Sequence, residues 1–161
     1  MNTNSDSILV GVAGEYFVAG ELSRKGYVAT ITLRNSKGID ILCSNQEGNK
    51  TVSLQVKTNK TDKSSWILNK KAEKFYNDNH FYIFVCLNNN MKPPDFYIVP
   101  SKIVANYVRT SHSKWLNLPK KNGQTRMDSS IRKFNDPKKK YIDKWELLGL
   151  KAQHYDNKTC L

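Results

Sequence analysis

Glu15, Asp40, Gln55 and Lys57, all in the N-terminal half of the chain, form a set of side chains that could hold a hard metal ion beside a phosphate. Magnesium takes oxygen ligands, keeps several of its waters, and needs only one or two carboxylates from a protein. Asp40 offers a carboxylate, Gln55 a neutral amide oxygen, and the main-chain carbonyl of Val56 could add another. Lys57 follows Gln55 by two residues, so on a strand the two side chains share a face about 6–7 Å apart. From there an ammonium could orient a water and balance its charge. Glu15, brought in by a helix, could add a second carboxylate directly or through a water. Phosphodiester cleavage asks for such a group: a metal to stabilise developing charge, an activated water and a nearby cation. Mg2+ or Mn2+ is the cofactor this set predicts.

Those residues are useful only if the chain folds them together. Residues 7–25 read as a helix that Gly26 ends, with Ser5 or Ser7 as possible caps. Ile8, Val12, Ala19 and Leu22 fall in one narrow arc at helical spacing, and Glu15 falls in the middle of it. A carboxylate centred on an apolar stripe needs a reason, because burying it unpaired is costly. Three strand-like segments follow, Tyr27–Leu33, Gly38–Cys43 and Thr51–Lys57, rich in β-branched and aromatic residues. Between the second and third, Asn45-Gln46-Glu47-Gly48-Asn49 is turn chemistry and predicts a hairpin. A turn centred on Glu47-Gly48 sets Asp40 opposite Gln55 and puts Asp40, Gln55 and Lys57 on one face. A slip of one residue would spoil that alignment.

Further along, Lys70–Asn77 reads as a short helix. Phe81–Leu87 is apolar throughout and reads as a central strand buried on both faces. After a loop over Asn88–Asp95, Phe96–Val99 is another strand, and Pro100-Ser101 opens a helix reaching Tyr107 or Val108. A last helix is expected near Tyr141–Leu148. The pattern predicts an α/β fold with helices against a mixed sheet. We read residues 1–110 as the core, 111–149 as a basic extension packed on it, and 150–161 as a mobile tail.

The layout of Glu15 on the first helix, then Asn35-Ser36-Lys37-Gly38-Ile39-Asp40, then Leu54-Gln55-Val56-Lys57, resembles the PD-(D/E)XK nuclease superfamily. The likeness is greatest to branches related to Holliday junction resolvases and Mrr-type restriction enzymes, and it extends to about Val108. It implies a restriction-endonuclease-like core of order αβββαβ and a metal-dependent endonuclease acting on DNA. Asp40 and Gln55 would bind the metal, Lys57 would serve catalysis, and Glu15 would be the helix acid that some branches carry. Two departures stand out. Gly38-Ile39-Asp40 replaces the family's Pro-Asp pair, and Gln55 stands where an acid is usual, which removes one negative charge from the ligand set.

Charge bears on the partner. Twenty-six Lys and Arg against fourteen Asp and Glu give a formal net charge of +12. Such a surplus favours a polyanion, because each lysine docked on a phosphate releases condensed counterions. Half of it lies in Ser111–Gly149, which carries ten Lys or Arg against four acids, including the run Lys138-Lys139-Lys140, a candidate phosphate contact. DNA is the partner this predicts, with RNA the alternative substrate, and a homodimer would let two sites meet two strands. A non-catalytic nucleic-acid-binding domain is the rival function, favoured by Gln55. No apolar run approaches the roughly 20 residues of a membrane span, and the polar start, Met1–Ser7, has no signal-peptide pattern. Cys43, Cys86 and Cys160 are odd in number and far apart, so they read as thiols in a reducing cytoplasm.

Plainer roles exist for these residues. Asp40 and Lys57 could form a cross-strand ion pair, and Glu15 could pair with Lys57 or Lys37. Trp66, Trp115 and Trp145 read as core anchors. His80, His112 and His154 lack ligand spacing and read as surface or capping residues.

Overall fold

The computed structural model describes residues 3–33, 38–74 and 77–151, with side chains from Ser7 onward. Its centre is strand β5 (His80–Cys86), in which every residue is buried. Phe81, Ile83 and Val85 point to one face of the sheet, and Tyr82, Phe84 and Cys86 point to the other. Each large apolar side chain buried this way stabilises the fold by ~1.5–3 kcal/mol, so two cores are joined through one strand.

The remaining strands are β1 (Val28–Ile31), β2 (Ile41–Ser44), β3 (Thr51–Asn59), β4 (Ser65–Asn69), β6 (Asp95–Pro100) and β7 (Ile131–Asn135). Five of the seven form one sheet in the order β1-β2-β3-β5-β6, while β4 and β7 form a separate two-stranded ribbon. All pairs in the main sheet are antiparallel except β3 and β5. A parallel pair needs a crossover, and here β4 with a 3-10 turn supplies it. On one face lies helix α1 (Thr3–Arg24), whose Val18 and Leu22 are fully buried, together with the turn Trp145–Leu148. On the other face lie helix α2 (Ser101–Leu116) and the ribbon. There Phe84 and Phe134 stack with centroids 4.6 Å apart, and the Trp66 indole donates to the carbonyl of Val85 at 2.9 Å.

The hairpin register is the predicted one. Ile41 pairs with Leu54, Leu42 with Ser53, Cys43 with Val52 and Ser44 with Thr51. Other expectations change. Strand β2 begins at Ile41 and not at Gly38, for a reason given below. The helix read over Lys70–Asn77 is a single 3-10 turn, Lys70–Glu73, so the expected αβββαβ order lacks its middle α-helix. Strand β4, which precedes that turn, was not foreseen, because its partner β7 lies more than sixty residues away and leaves no local signal. Helix α2 runs on to Leu116, past Val108. Of the helix expected near Tyr141–Leu148, only Trp145–Leu148 winds, as a 3-10 turn. The residues before it are held otherwise: the buried Asp136 carboxylate accepts from the amides of Lys140 and Tyr141, and Lys139 and Asp143 have positive φ.

Trp66 and Trp145 are core residues as expected, but Trp115 is 39% exposed. His80 is not at the surface. It opens the buried strand β5 against the Ser53 hydroxyl at 2.9 Å, and burial lowers its pKa from the usual imidazole value. Cys43 and Cys86 are free and buried, with burial pushing both thiols up to about 11. Cys160 and His154 lie outside the described residues. Among the described residues no helix is long and apolar enough to cross a membrane.

Phe134 is fully buried against Phe84, Trp66 and Tyr107 although it belongs to the basic stretch after residue 110. Phe134→Ala should therefore lower global stability by about 3–5 kcal/mol, seen as a fall in the urea midpoint. An unchanged midpoint would show that this stretch is a detachable arm.

Candidate active site

The site forms where β2 and β3 part. Gly38 has φ of +75°, a left-handed conformation that glycine adopts at little cost, and it delivers the chain to Ile39 and Asp40 just before β2 starts. Asp40 is then fixed at three points. Its amide donates to the carbonyl of Leu54 at 2.8 Å, its carbonyl accepts from the amide of Thr32 at 2.9 Å, and its Oδ2 accepts from the amide of Val56 at 2.7 Å. The last bond explains the late start of β2. Strand β3 runs nine residues to the four of β2, so beyond Leu54 its outer edge has no ladder partner, and a side-chain carboxylate serves the orphaned amide instead.

The N–H and C=O of one strand residue point to the same side. The carbonyl of Val56 therefore faces the gap that its amide shares with Asp40. Asp40 Oδ1 has no hydrogen-bond partner among the described residues. Two hard oxygens, one of them charged, are thus turned toward the same opening.

Glu15 reaches this place from α1. It lines a cleft of about 260 Å3 with Asp40, Ser7, Gly11, Thr32 and Leu33. Helix α1 is set by a close crossing: a Cβ on Gly14 would stand 1.8 Å from Thr58 Oγ1 and 2.9 Å from Thr58 Cβ. Only a glycine allows the helix to rest on β3 at this depth, and the next residue is Glu15. The buried line of α1 is Gly14, Val18 and Leu22, while Ile8 is 52% exposed. Glu15 consequently borders the buried line and does not lie at its centre, contrary to the apolar pattern of the sequence. Glycine adds nothing to a hydrophobic count, so the tightest contact of the helix is invisible to it.

Gln55 and Lys57 occupy the opposite face of β3, level with Tyr82 and Phe84 of β5. Both are half-buried. Neither lines the cleft that Glu15 shares with Asp40. Among the described residues, Gln55 makes no side-chain hydrogen bond, and Lys57 forms no ion pair with Asp40 or Glu15. The structural ion-pair roles open to Lys57 are therefore not realised. Lys37 lies outside the described residues.

The donor set suits a hard divalent ion. At the gap it comprises the Asp40 carboxylate and the Val56 carbonyl, with Glu15 in the adjoining cleft, while the Gln55 amide lies on the other face of β3. Among the described residues no group of three or more His, Cys, Asp or Glu could hold a metal.

The lysine run lies elsewhere. Lys138, Lys139 and Lys140 are exposed on the turn wound about Asp136. Lys139 approaches Asp95 at 4.0 Å, and the Lys140 ammonium lies 5.3 Å from the Tyr141 ring centroid. Asp95 opens β6, two strands from β3 across the sheet.

With the fold and site in view, the similarity to solved structures can be placed. A bacterial homing endonuclease, I-Ssp6803I, matches with a TM-score of 0.54 and 15% identity over 89% of this chain and 91% of its own. Archaeoglobus fulgidus Hjc, a Holliday junction resolvase from an archaeal hyperthermophile, matches with a TM-score of 0.52 and 12% identity over 89% and 98%. This chain shares with them the restriction-endonuclease-like fold, a five-stranded mixed sheet flanked by helices. No family model and no curated protein sequence matches it.

The Gly14 contact yields a paired prediction. Gly14→Ala must push α1 off Thr58 and should cost about 1–3 kcal/mol of stability. Gly20→Ala, on the open side of the same helix where a Cβ meets nothing within 4 Å, should instead gain up to about 1 kcal/mol from helix propensity. Urea denaturation of the two variants tests this, and equal effects would refute the close crossing.

Proposed function

We propose that this protein is a metal-dependent endonuclease that hydrolyses phosphodiester bonds in DNA, with its site at the parting of β2 and β3. The observation that carries the reading is the gap itself: the Asp40 carboxylate, held by Val56, and the Val56 carbonyl both open onto it, with Glu15 in the adjoining cleft. The match to two nucleases of the same fold and the net charge of +12 support it.

Asp40, Gln55, Val56 through its carbonyl, and Glu15 would hold Mg2+ or Mn2+. The ion supplies stabilisation of the negative charge that develops on the phosphate during cleavage. Lys57 acts on its own account. With no carboxylate neutralising it, its ammonium offsets charge on the attacked phosphate and orients the incoming water. The bond of Asp40 Oδ2 to Val56 pre-orients Oδ1, so this ligand needs no reorganisation. Lys138, Lys139 and Lys140 provide phosphate contacts away from the chemistry, where they add affinity that falls with salt. Two copies of the chain would be needed to cut both strands at once, which makes a homodimer the expected working form.

Asp40 has a structural bond as well as a chemical role, so the informative variant is Asp40→Asn. It keeps an acceptor for Val56 and removes the charge, whereas Asp40→Ala would also leave that amide orphaned at about 1–3 kcal/mol. Asp40→Asn and Lys57→Ala should each stay folded and lower cleavage of plasmid DNA by on the order of 10²–10³. Cleavage equal to wild type in both variants would sink the assignment, and cutting of RNA alone would change the substrate.

A second reading, a nucleic-acid-binding domain without catalysis, is favoured by Gln55 alone. Gln55→Glu separates the two. Under the nuclease reading both forms bind Mn2+ in isothermal titration, and the glutamate form binds more tightly because it adds a charge. Metal binding and cleavage appearing only in Gln55→Glu would establish the binding domain.

A further inference from the structure

A second cavity, of about 390 Å3, opens between the C-terminal half of α2 and the outer face of β7. It shares no residue with the cleft of Glu15 and Asp40. Its volume is that of a small-ligand pocket. Trp115 and Ile131 give it an apolar lining, and both are exposed there, at 39% and 59%, although Trp66 and Trp145 are at 2% and 6%. The indole of Trp115 is braced by His112, whose ring stacks on it at 5.3 Å and 24°. The Arg126 guanidinium lies 4.7 Å from the indole centroid.

The charges around the cavity are unequal in their freedom. Asp128 is spent on three partners, with Lys70 at 3.0 Å, His112 at 2.7 Å and Arg132 at 3.3 Å. Its carboxyl is held well below the usual carboxylate range, first by the hydrogen bond from Lys70 and then by that from His112. Arg132 is held also by Glu73. Arg126, by contrast, donates only to the main-chain carbonyls of Leu118 and Pro119, and Lys133 has no ion pair among the described residues. Carbonyls align a guanidinium without neutralising it. The cavity therefore combines an exposed aromatic wall with one uncompensated cation in its lining, Lys133, and a second, Arg126, held beside the same indole, and the molecule complementary to both is a planar aromatic group carrying a phosphate.

We infer that this cavity is a nucleotide subsite, in which an unpaired base of a bound strand packs against Trp115 while Arg126 and Lys133 hold its flanking phosphates. The choice of nucleic acid as occupant rests on the proposed nuclease function. Base–aromatic stacking tolerates any base, so the subsite selects for unpaired structure and not for sequence. An enzyme with such a pocket would favour a junction, a flap or a flipped nucleotide over plain duplex.

The test uses the full chain with Asp40→Asn, so that binding is read without cutting. The probes are the single strand (dA)12 and a strand of equal length and charge made of abasic deoxyribose phosphates. Since Trp66 and Trp145 are buried, (dA)12 should quench Trp115 emission, the abasic strand should not, and Trp115→Phe should abolish the change. Trp115→Ala should weaken (dA)12 binding by about 5- to 100-fold. Lys133→Gln, at an exposed position on β7, should weaken it too and flatten its salt dependence, which keeps the test valid if Trp115→Ala folds poorly. Equal quenching by the abasic strand, unchanged emission on saturation, or wild-type affinity in Lys133→Gln would each overturn the subsite. An uncharged aromatic peptide that quenches as well as (dA)12 would overturn it in favour of a protein partner. The two readings fail separately: quenching by (dA)12 together with no cleavage of any nucleic acid by the wild-type chain defeats the nuclease reading alone, and cleavage by the wild-type chain without quenching defeats the subsite alone.

Discussion

Strand β3 is paired on its outer side only over its first half, and the candidate site exists because of what happens at the end of that pairing. On its inner side β3 is locked in parallel register to the fully buried β5 from Ser53 to Asn59. On its outer side β2 stops at Ile41, opposite Leu54. An amide left without an acceptor at this depth would be costly, and the carboxylate of Asp40 removes the cost by accepting from Val56. A chain that must fill this gap with an acceptor is bound to place a side-chain oxygen there. The same gap exposes the Val56 carbonyl, and the crossing of α1 over Thr58 through Gly14 brings Glu15 to its border. Folding and the proposed chemistry thus draw on the same few atoms.

The basic character of the chain divides into charges that folding uses and charges that it does not. Arg132 is nearly fully buried and tied to Glu73 and Asp128. Lys70 and His112 share Asp128 with it, and Arg24 and Lys25 share Glu21. Lys57, Arg126 and Lys133 have no carboxylate partner among the described residues. They are spread over both the parting of β2 and β3 and the cavity beside α2. Clustered cations repel one another unless an anion lies between them, so the positions of the unpaired ones are more telling about a polyanionic partner than the total is.

The hairpin was legible because its information is local. Gly48 turns, Val52, Leu54 and Val56 alternate, and the register follows by counting. The buried β5 was legible because seven apolar or aromatic residues in a row have few other destinations. What could not be read were relations between distant segments or signals carried by absence. The pairing of β4 with β7 joins Trp66 to Phe134 with no trace in either neighbourhood. The face of α1 was misplaced because its closest contact is a glycine, while Ile8, Leu9, Tyr16 and Phe17 are exposed. The helix expected near Tyr141–Leu148 starts late because the Asp136 carboxylate holds the amide of Tyr141 and Asp143 has a positive φ, neither of which leaves a mark in an apolar pattern. At the site, the residue types were legible, but the bond of Asp40 to Val56 and the division of Gln55 and Lys57 from the cleft of Glu15 were not.

That bond also determines which residue speaks most directly for catalysis. Folding by itself would retain an oxygen acceptor at position 40, and a neutral asparagine would serve. Neither the negative charge of Asp40 nor the positive charge of Lys57 is demanded by any contact among the described residues. Lys57 is the sharper case, since its half-buried side chain stands level with Tyr82 and Phe84 and has no ion pair among the described residues. Under the proposed function the charges then add up in an instructive way. Asp40 and Glu15 carry one negative charge each, Lys57 one positive, and a divalent ion brings the site to a surplus of one positive charge, which a phosphodiester neutralises. A carboxylate at position 55 would remove that surplus before the substrate arrives. Gln55 therefore weakens the hold on the metal and strengthens the attraction for the phosphate, since the missing charge acts on both. On this reasoning the glutamine is a shift in the balance between metal and substrate, an alternative to the loss of catalysis that the same residue would otherwise suggest.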